Sequence, residues 1–257
     1  MAKVYITGSS DGLGLMAAQE LAAQGHEVVL HARNDQRAAS TKAALPQASA
    51  VVVGDLASIK QTKQLAEQVN MLGRFDAVIH NAAVGYHEAH QTTIDGLEHV
   101  FAINVLAPYL LTALMTRPKR LVYLSSGMNR GGDPAGLDDP QWDKRAWNGA
   151  QAYADSKLFD AVLAAAIARH WKDVLSNALE PGWVPTKMGG PGAPDDLSQA
   201  ATTQVWLAVS NDRGAETSGG YFYHQQPREP HPAVHDEALQ DKLVELCRRI
   251  SHVALPT

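Results

Sequence analysis

The stretch Thr7-Gly8-Ser9-Ser10-Asp11-Gly12-Leu13-Gly14 decides the fold of this chain. It joins the apolar run 3–7, a predicted strand, to the alanine-rich segment 13–24, a predicted helix. In such a turn one glycine permits the tight bend, one lets the backbone approach a pyrophosphate, and one lets the helix pack closely on the strand. The helix N-terminus adds unpaired N–H groups and the positive end of the helix dipole. The stretch therefore predicts a nucleotide-binding turn.

Outward from this turn, short apolar runs alternate with amphipathic or alanine-rich segments along the chain. Strands are predicted at 3–7, 27–31, 49–53, 76–80, 120–125, 176–179 and 220–223. Helices are predicted at 13–24, 35–44, 58–71, 94–115, 151–171, 198–209 and 235–251. Nearly continuous apolar strands that alternate with helices are typical of a doubly wound parallel sheet. We therefore expect a single α/β domain over 1–257, with a Rossmann-type sheet of about seven strands and helices on both faces.

The composition argues against several classes of protein. A net charge of −5 disfavours nucleic acid or an anionic membrane as the main partner. The one cysteine, Cys247, excludes an internal disulfide and a cysteine zinc site. His224, His231 and His235 lie in a proline-rich stretch without a helical i,i+4 pair, so no metal site is expected there. No apolar run reaches the ~20 residues that span a bilayer, and no signal-peptide pattern precedes Val4, so we expect a cytoplasmic protein.

The segment Tyr153-Ala154-Asp155-Ser156-Lys157 places a phenol and an ammonium group four residues apart in a predicted helix. Residues at i and i+4 share a helix face, so the two groups are expected to be neighbours. A lysine cation ~4 Å away favours the phenolate by up to ~4 kcal/mol at an effective dielectric of ~20, roughly three pKa units before desolvation. We therefore expect Lys157 to lower the pKa of Tyr153 and to make it a proton donor and acceptor near neutral pH. A surface pair without function is the alternative.

The spacing Gly8-x3-Gly12-x-Gly14 resembles the TGxxxGxG signature of the short-chain dehydrogenase/reductase family. The resemblance extends over nearly the whole chain and implies that the turn binds a nicotinamide dinucleotide. The residues of the turn that it assigns to the cofactor are Gly8, Ser9, Ser10, Gly12, Leu13 and Gly14.

Two further segments resemble cofactor-binding motifs of the family. Asp55 and Leu56, after the third predicted strand, match the position whose acid hydrogen-bonds the adenine ring. An N-cap of the helix near residue 58 is the alternative for Asp55. The segment Asn81-Ala82-Ala83 resembles the NNAG motif, which lines the cofactor and braces the sheet. It departs from that motif at His80, which replaces the first Asn, and at Ala83, which replaces the Gly.

The choice between NADP and NAD depends on the end of the second predicted strand, Val29-Leu30-His31-Ala32-Arg33-Asn34. Relatives that prefer NAD place an acid there for the ribose 2′-hydroxyl, whereas this chain has Ala32 followed by Arg33. A guanidinium suits the 2′-phosphate of NADP, so we assign Arg33 and Asn34 to cofactor binding, with an added hydroxyl from Ser9. Asp11 argues for NAD, because many NADP-dependent relatives carry a basic residue there. We expect NADP, with NAD as the alternative.

The run 120–126 resembles the family's fifth strand, which ends at the catalytic serine, and the register places that serine at Ser126. The resemblance implies that Ser126 hydrogen-bonds the substrate carbonyl and that Tyr153 donates the proton. It further implies that Lys157 holds the nicotinamide ribose, and that Asn104 supports a helix kink and a water linked to Lys157. Ser126 and Tyr153 are separated by 26 residues, a long loop that resembles the retinol-dehydrogenase-like branch of the family.

The segment Glu180-Pro181-Gly182-Trp183-Val184-Pro185-Thr186 resembles the family's PGxVxT motif. It implies contacts to the cofactor from Pro181, Gly182, Val184 and Thr186. The loops 127–149 and 185–197 follow strand ends, where open α/β sheets bind ligands, so we expect them to form the substrate pocket. Within the second loop, 187–197 is expected to be a mobile lid, with an inert surface turn as the alternative. Large apolar side chains in and beside these loops indicate an apolar or aromatic substrate, with packing of each one inside the protein as the alternative: Trp142, Trp147, Trp183 and Met188.

These motifs together predict an NADP(H)-dependent oxidoreductase that interconverts a carbonyl and an alcohol. A nucleotide-sensing or scaffold protein without turnover is the alternative. A sugar-nucleotide epimerase or dehydratase shares the Tyr-x3-Lys pair, but roughly 70 residues after Thr186 leave little room for its substrate domain. The oligomeric state is left open by the sequence. One face of helix 151–171 carries alanines that could pack either on a second copy of the chain or on the sheet: Ala161, Ala164, Ala165 and Ala168.

Overall fold

Eight strands form one sheet in the computed structural model, which describes residues 1–256. The strands are β1 (Lys3–Ile6), β2 (Glu27–Ala32), β3 (Ala50–Val53), β4 (Ala77–His80), β5 (Arg120–Leu124), β6 (Leu175–Leu179), β7 (Tyr221–Tyr223) and β8 (Gln226–Pro227). Their order across the sheet is β3-β2-β1-β4-β5-β6-β7-β8, and only the pairing of β7 with β8 is antiparallel. The chain reverses its direction of travel across the sheet between β1 and β4, the place where doubly wound sheets bind nucleotides.

Helices pack on both faces of this sheet. They are α1 (Gly12–Ala23), α2 (Asp35–Ala44), α3 (Ile59–Met71), α4 (His99–Phe101), α5 (Ala107–Leu114), α6 (Gly149–His170), α7 (Thr202–Val209) and α8 (Glu237–Ser251). A π-helical turn, Ala102–Leu106, joins α4 to α5. Short 3₁₀ turns lie at Gly127–Gly131, Pro134–Asp138, Leu197–Gln199 and Pro232–His235. Among the helices of residues 1–256, none is both long and apolar enough to cross a bilayer.

Successive strand residues pack into two different cores, one on each face of the sheet. In β1, Val4 and Ile6 join the core under α1 and α7, whereas Tyr5 joins the core under α3, α5, α6 and α8. All three side chains are fully buried. Burial on both faces explains why the strands are nearly continuous apolar runs. The predicted doubly wound α/β architecture is therefore confirmed.

The edge strand β8 was not predicted, because the turn before it carries no sequence signal. The β7–β8 hairpin turns at His224 and Gln225, whose φ angles are 48° and 60°. Two-residue hairpin turns with positive φ usually contain asparagine, aspartate or glycine. This turn contains none of them, so nothing in the sequence predicted a hairpin here.

The helix predicted over 94–115 begins five residues later, at His99. Gly96 has a φ of +76°, which ends any helical run before it. The Glu98 carboxylate then accepts hydrogen bonds from the N–H groups of Val100 (2.8 Å) and Phe101 (2.7 Å). These bonds satisfy the free donors of the first turn, so Glu98 fixes the helix start as an N-cap.

The alanine-rich face of α6 packs against other elements of the same chain. Ala161 and Ala164 are buried, while Ala165 and Ala168 are partly buried. The helix packs against β5, β6 and α8. Small side chains allow this close approach of a helix to its neighbours, so the face has a role within one copy of the chain.

Candidate active site

A large cavity opens at the carboxyl ends of the parallel strands, and its volume is about 1090 Å³. Most of the predicted site residues line it: Gly8, Ser10, Gly12, Leu13, Arg33, Asp55, Leu56, Asn81, Ala82, Ala83, Ser126, Tyr153, Lys157, Pro181, Gly182, Val184 and Thr186. Four predicted residues lie outside its lining: Ser9, Gly14, Asn34 and Asn104. The cavity thus brings the glycine-rich turn and the Tyr-Lys pair into one space.

Gly8 and Gly14 let the turn after β1 pack against the end of β4. A Cβ on Gly8 would lie 2.8 Å from the Cα of Ala82, and one on Gly14 would lie 2.5 Å from the Nδ2 of Asn81. Asn81 Nδ2 in turn donates hydrogen bonds to the carbonyl oxygens of Thr7 (2.9 Å) and Gly8 (3.1 Å). The turn is therefore held by backbone atoms that approach too closely for any larger residue, and Asn81 braces it.

Gly12 opens α1 at the wall of the cavity. No atom lies within 4 Å of the position that its Cβ would occupy, and its φ is +53°. Asp11, the N-cap residue, makes no side-chain hydrogen bond to the helix, and the first turn carries no acidic residue. The N–H groups at such a helix end attract phosphate oxygens. This open cradle fits the pyrophosphate of a nicotinamide dinucleotide.

Ser9, predicted to contact the cofactor, faces the interior instead. Its hydroxyl donates to the carbonyl oxygen of Ile6 (2.9 Å) and accepts the N–H of His31 (2.8 Å), and the residue is fully buried. His31 Nδ1 accepts the N–H of Gly8 (2.9 Å), and its Nε2 lies 2.8 Å from the carbonyl oxygen of Gly54. Burial lowers the pKa of His31, which keeps the ring neutral as its acceptor role requires. Ser9 and His31 therefore fix the glycine-rich turn from behind.

Two arginines reach the outer end of the cavity, where only Arg33 was predicted. Arg33 lines the cavity with an exposed side chain. Arg37 donates hydrogen bonds to the hydroxyl of Ser10 from Nε (3.2 Å) and Nη2 (3.1 Å), and pairs with Asp11 at 2.8 Å. Asn34 is the N-cap of α2 and accepts the N–H of Arg37 (3.0 Å), so it orients this helix start instead of lining the cavity. Arg33 lies before this cap and Arg37 in the first turn of α2, so their meeting at the cavity depends on the turn between β2 and α2.

Asp55 faces the cavity at the end of β3 and does not cap α3. Its Oδ1 accepts the N–H of Ala57 (3.0 Å), two residues on. The N-cap of α3 is Ser58, whose hydroxyl accepts the N–H of Gln61 (3.4 Å). The capping alternative for Asp55 is therefore wrong, and its carboxylate remains beside the cavity.

Asn104 lies in the π-helical turn between α4 and α5, where a helix kink was expected. Its Oδ1 accepts the N–H of Val84 (2.9 Å), and its Nδ2 donates to the carbonyl oxygen of Val84 (3.1 Å) and to the hydroxyl of Ser156 (3.0 Å). Val84 lines the cavity, and Ser156 precedes Lys157 on α6. Asn104 therefore ties the loop after β4 to the helix that carries the Tyr-Lys pair.

His80, at the first position of the NNAG-like motif, belongs to the core. Its Nε2 lies 3.1 Å from the hydroxyl oxygen of Thr112, and its ring stacks on Tyr123 with 4.7 Å between the ring centroids. Burial lowers the pKa of His80 to about 3, so the ring is neutral. The replacement of the first Asn of the motif by His80 therefore changes the packing behind β4. It does not affect the hydrogen bonds by which Asn81 braces the glycine-rich turn.

Ser126 and Tyr153 both line the cavity, and the Ser126 side chain acts to lower the pKa of Tyr153. Ser126 follows β5, and Tyr153 is carried by α6. The neighbouring Ser125 is buried, and its hydroxyl donates to the carbonyl oxygen of Lys157 (2.6 Å). Both serines line the cavity, but this bond ties Ser125 to α6, whereas Ser126 is partly exposed.

Lys157 is buried beneath Tyr153 and has an unpredicted counter-ion. Its Nζ lies 5.7 Å from the ring centroid of Tyr153 and donates to the carbonyl oxygen of Leu124 (2.7 Å). It also forms an ion pair with Asp160 at 2.7 Å, and both side chains are only 3% exposed. Burial works against the cation, but Asp160 and Tyr153 reverse this effect and raise the pKa of Lys157. The amine therefore stays protonated.

The pKa of Tyr153 is raised, whereas the sequence predicted a lowered value. Burial is the main cause of the increase, and the Lys157 cation and the Ser126 side chain act against it. Asp160 and Tyr86 add to the increase. The prediction is wrong because it gave desolvation too little weight and did not include the counter-ion of Lys157.

The wall opposite the glycine-rich turn is formed by larger side chains: Tyr86, Met128, Trp183 and Met188. Tyr86 meets Tyr153 edge to face, with 5.9 Å between the ring centroids. Trp183 is 57% exposed, which leaves its ring available at the cavity mouth. Trp183 and Met188 thus lie where an apolar or aromatic substrate was expected to bind.

A buried carboxylate adds charge to the same wall. Glu180 is 3% exposed and pairs with Arg130 at 3.2 Å, and Arg228 contacts the same carboxylate oxygen. Tyr221 donates a hydrogen bond to the other oxygen at 3.3 Å. Because Arg130 and Arg228 both line the cavity, this part of the wall is polar.

The loop 127–149 reaches the cavity only through its first residues. Most of the rest folds against α6, where the Asp155 carboxylate accepts the N–H of Asp133 (2.8 Å) and pairs with Arg145 (3.3 Å). The Arg145 guanidinium lies 3.9 Å from the ring centroid of Trp142, which packs on Trp147. Neither tryptophan lines the cavity, so their predicted role in the substrate pocket is wrong. The role of Asp155 in holding this loop could not be predicted from the sequence, because no motif in the loop marks Asp133 and Arg145 as its partners.

The loop 185–197 crosses from the substrate side to the glycine-rich turn. Lys187 pairs with Asp11 at 2.9 Å, although its side chain is 88% exposed. Thr186 accepts the N–H of Gly189 at its hydroxyl (3.1 Å), which folds the loop over the cavity. Burial works against the Asp11 carboxylate, but Lys187 and Arg37 overcome it and hold the pKa of Asp11 below its ordinary value.

Comparisons with known proteins agree with this geometry. A family model described as short chain dehydrogenase matches residues 2–127. An uncharacterized oxidoreductase of Emericella nidulans is 44% identical, over 100% of this chain and 99% of the relative. Human retinol dehydrogenase 13 is 29% identical over 99% of this chain and 86% of the relative. A Streptomyces protein named as a daunorubicin C-13 ketoreductase is 32% identical over 94% of this chain and 90% of the relative.

Solved structures show the same fold at low sequence identity. An uncharacterized protein of Mycobacterium paratuberculosis has a TM-score of 0.85 at 23% identity, covering 100% of this chain and 96% of that one. A blue fluorescent protein from a metagenomic library, in complex with NADPH, has a TM-score of 0.69 at 19% identity, covering 86% and 95%. With its motifs gathered around one cavity and a relative of 44% identity aligned over the whole chain, the protein belongs to the short-chain dehydrogenase/reductase family, in its retinol-dehydrogenase-like branch, and is an oxidoreductase.

Proposed function

We propose that the protein is an NADP(H)-dependent carbonyl reductase or alcohol dehydrogenase with Tyr153 as its general acid and base. The observation that carries this proposal is that Ser126 and Tyr153 line the same cavity as the glycine-rich turn, with the Lys157 cation beside the Tyr153 ring. When bound, the nicotinamide ring supplies or accepts a hydride. A substrate carbonyl next to the two hydroxyl groups then needs only a proton to become an alcohol.

The chain provides a site for each part of the cofactor. The open end of α1 at Gly12 would hold the pyrophosphate, and Asp55 would lie beside the adenine. The loop after β6 would hold the nicotinamide through Val184 and Thr186. Lys157 keeps one N–H beyond the two used on Leu124 and Asp160, which is available for a ribose hydroxyl.

The proposed roles of the reacting residues follow from their positions. The Ser126 hydroxyl would donate to the carbonyl oxygen, where negative charge develops. Tyr153 would give its proton to that oxygen, and the Lys157 cation would stabilise the phenolate that remains. Asn104 would act from behind the cavity by holding Val84 and α6 in place. In the reverse direction, the phenolate would accept the proton of the alcohol.

The preference for NADP is supported by the two arginines at the outer end of the cavity. Arg33 and Arg37 offer guanidinium groups to a 2′-phosphate, and β2 ends in Ala32 where relatives that prefer NAD place an acid. Asp11 opposes an added phosphate, but it is already paired with Arg37 and Lys187. NAD is the alternative.

The substrate class is supported by the cavity and by the names of two relatives. Tyr86, Met128, Trp183 and Met188 offer apolar and aromatic surface. One relative is named as a ketoreductase and another as a retinol dehydrogenase, and both names refer to the exchange of carbonyl and alcohol. We propose an aldehyde, ketone or alcohol with an apolar or aromatic body.

A turnover screen separates this proposal from a nucleotide sensor on the same fold. The purified protein is given NADPH or NADH with a panel of aldehydes and ketones, and loss of reduced-cofactor absorbance is followed. We expect oxidation of NADPH with at least one aromatic carbonyl and weaker use of NADH. Cofactor binding without oxidation on a broad panel would instead support the sensor.

A further inference from the structure

Asp160 is a buried acid that does not line the cavity. It lies one helical turn after Lys157 on α6, and its carboxylate is 2.7 Å from the Lys157 Nζ. Both side chains are 3% exposed, so the pair is almost fully withdrawn from water. Buried ion pairs of this kind are often no more stable than an apolar replacement. We therefore expect Asp160 to have a role other than stabilising the fold.

The Lys157–Asp160 pair lies next to Tyr153, so its charges act mainly on the Tyr153 hydroxyl. Lys157 Nζ is fixed on one side by the carbonyl oxygen of Leu124 and on another by Asp160, and it faces the ring of Tyr153. A positive charge there stabilises the Tyr153 phenolate, and a negative charge behind it weakens that effect. The proton affinity of the Tyr153 hydroxyl therefore depends on the combined effect of the two charges.

We infer that Asp160 is a positioning residue that holds Lys157 under Tyr153 and, by offsetting its charge, sets the proton affinity of the Tyr153 hydroxyl. The charge of Asp160 acts together with burial to favour the protonated phenol, which a general acid for carbonyl reduction requires. The consequence for turnover rests on the proposed function, whereas the effect on proton affinity does not.

The other groups around the pair are few among the described residues. Burial raises the pKa of Tyr123 on β5, and the charge of Asp160 adds to this increase. Its hydroxyl is hydrogen-bonded to Thr112 of α5, and its ring stacks on the neutral His80 of β4. Tyr86 and Ser126 face Tyr153 on the cavity side. None of these groups is a second cation, so Lys157 and Asp160 dominate the local charge.

Asp160→Asn is the test variant, because it removes the charge and keeps the size and hydrogen-bonding capacity of the side chain. If the charge of Asp160 offsets that of Lys157, the Tyr153 hydroxyl of this variant should ionise at a lower pH, by about one pH unit. If Asp160 only holds Lys157 in place, its loss would let the cation move away, and Tyr153 would ionise at a higher pH. The sign of the shift therefore separates the two roles.

The measurement is an ultraviolet titration of phenolate in the protein without cofactor. The curve of Tyr153 is isolated by subtracting the curve of Tyr153→Phe, in the wild-type and in the Asp160→Asn background. Circular dichroism at each pH limits the comparison to folded protein. A shift of Tyr153 to lower pH in Asp160→Asn supports the inference, and an unchanged or higher ionisation pH overturns it. Asp160→Glu, which keeps the charge, should titrate nearer the wild type than Asp160→Asn does.

A second arm uses turnover with NADPH and a carbonyl that the wild type reduces. A general acid must be protonated, so the rate falls as pH rises through its pKa. In Asp160→Asn this fall should occur at lower pH by the same amount as in the titration, and a fall at unchanged or higher pH overturns the catalytic consequence. If the wild type reduces no carbonyl, the proposed function fails while the titration still decides the role of Asp160.

Discussion

The two halves of the cavity are held together by different means. In the nucleotide half, backbone atoms pack so closely that Gly8 and Gly14 have no room for a Cβ. In the catalytic half, Lys157 and Asp160 are charged side chains buried almost completely. Close backbone packing depends on the absence of side chains, whereas a buried ion pair depends on both partners being present. The first half should therefore be sensitive to added atoms, and the second to removed charge.

The largest effect is expected when one partner of the buried pair is removed. Lys157→Met leaves the Asp160 carboxylate without its cation, so the free energy of unfolding should fall by about 3–5 kcal/mol at neutral pH. The loss should shrink as pH is lowered, because the isolated buried carboxyl has a raised pKa and becomes neutral by binding a proton. Urea unfolding at several pH values measures both effects.

The double variant Lys157→Met, Asp160→Leu is the matched control for this prediction. It removes both charges and fills the site with apolar atoms, so it should recover much of the lost stability. A single variant as stable as the wild type, or a double variant no better than the single one, would show that the charges of the pair do not control stability here.

A smaller effect is expected in the nucleotide half, where two glycines can be compared. A Cβ at Gly14 would meet the Gly8 carbonyl oxygen at 2.6 Å, so Gly14→Ala should lower the free energy of unfolding by about 2–3 kcal/mol. Gly12→Ala places its Cβ in open space and costs about 1 kcal/mol through its positive φ. Because Gly12 faces the proposed pyrophosphate site, its variant should lose affinity for NADPH more than stability.

Thermal unfolding and cofactor titration of the two glycine variants give this comparison directly. Equal stability losses in Gly12→Ala and Gly14→Ala would contradict the view that backbone crowding at Gly14 holds the turn.

The arginines of the nucleotide half should affect affinity by a smaller amount. Arg33→Ala and Arg37→Ala should each weaken NADPH binding about tenfold, or about 1.4 kcal/mol, and change NADH binding little. Fluorescence titration of each variant with both cofactors measures the preference. An unchanged ratio of NADPH to NADH affinity in both variants would remove the support for NADP. If only Arg37→Ala changes it, the residue missed from sequence is the main phosphate ligand.

The weakest effect is expected where the two halves meet at the surface. Lys187 pairs with Asp11 across the cavity mouth, but its side chain is 88% exposed. Exposed ion pairs contribute about 0.2–1 kcal/mol and are screened by salt. Lys187→Ala should therefore change thermal stability little, and any change in cofactor release should disappear at high salt. A large, salt-independent loss of stability would show that this contact does more than close the loop.

The same contrast explains what the sequence could predict. The glycine-rich turn, the alternation of strands and helices, and the positions of Ser126, Tyr153 and Lys157 depend on local spacing and on apolar runs, and these are visible in one chain. Asn81 and Gly12 were assigned for the same reason. The doubly wound fold was therefore predictable in detail, apart from the short edge strand β8 and some helix starts.

What the sequence could not predict depends on partners far apart in the chain. Ser9 looked like a cofactor ligand until its hydroxyl was found bonded to Ile6 and His31. Trp142 looked like a pocket residue, but Arg145 and the rest of the insert hold it against α6. Asp160 is three residues from Lys157, yet its effect required knowledge that both are buried. Spacing shows which groups can meet, but burial decides how strongly their charges act.

The most direct test of the account compares the wild type with Tyr153→Phe on a carbonyl substrate found in the screen. Binding of NADPH is measured by cofactor fluorescence, and a single turnover is followed with saturating NADPH. We expect the same affinity for NADPH in both proteins and a rate that falls about 10²–10⁴-fold in Tyr153→Phe. A Tyr153→Phe variant that reduces the carbonyl at the wild-type rate would contradict the assignment of Tyr153 as the proton donor.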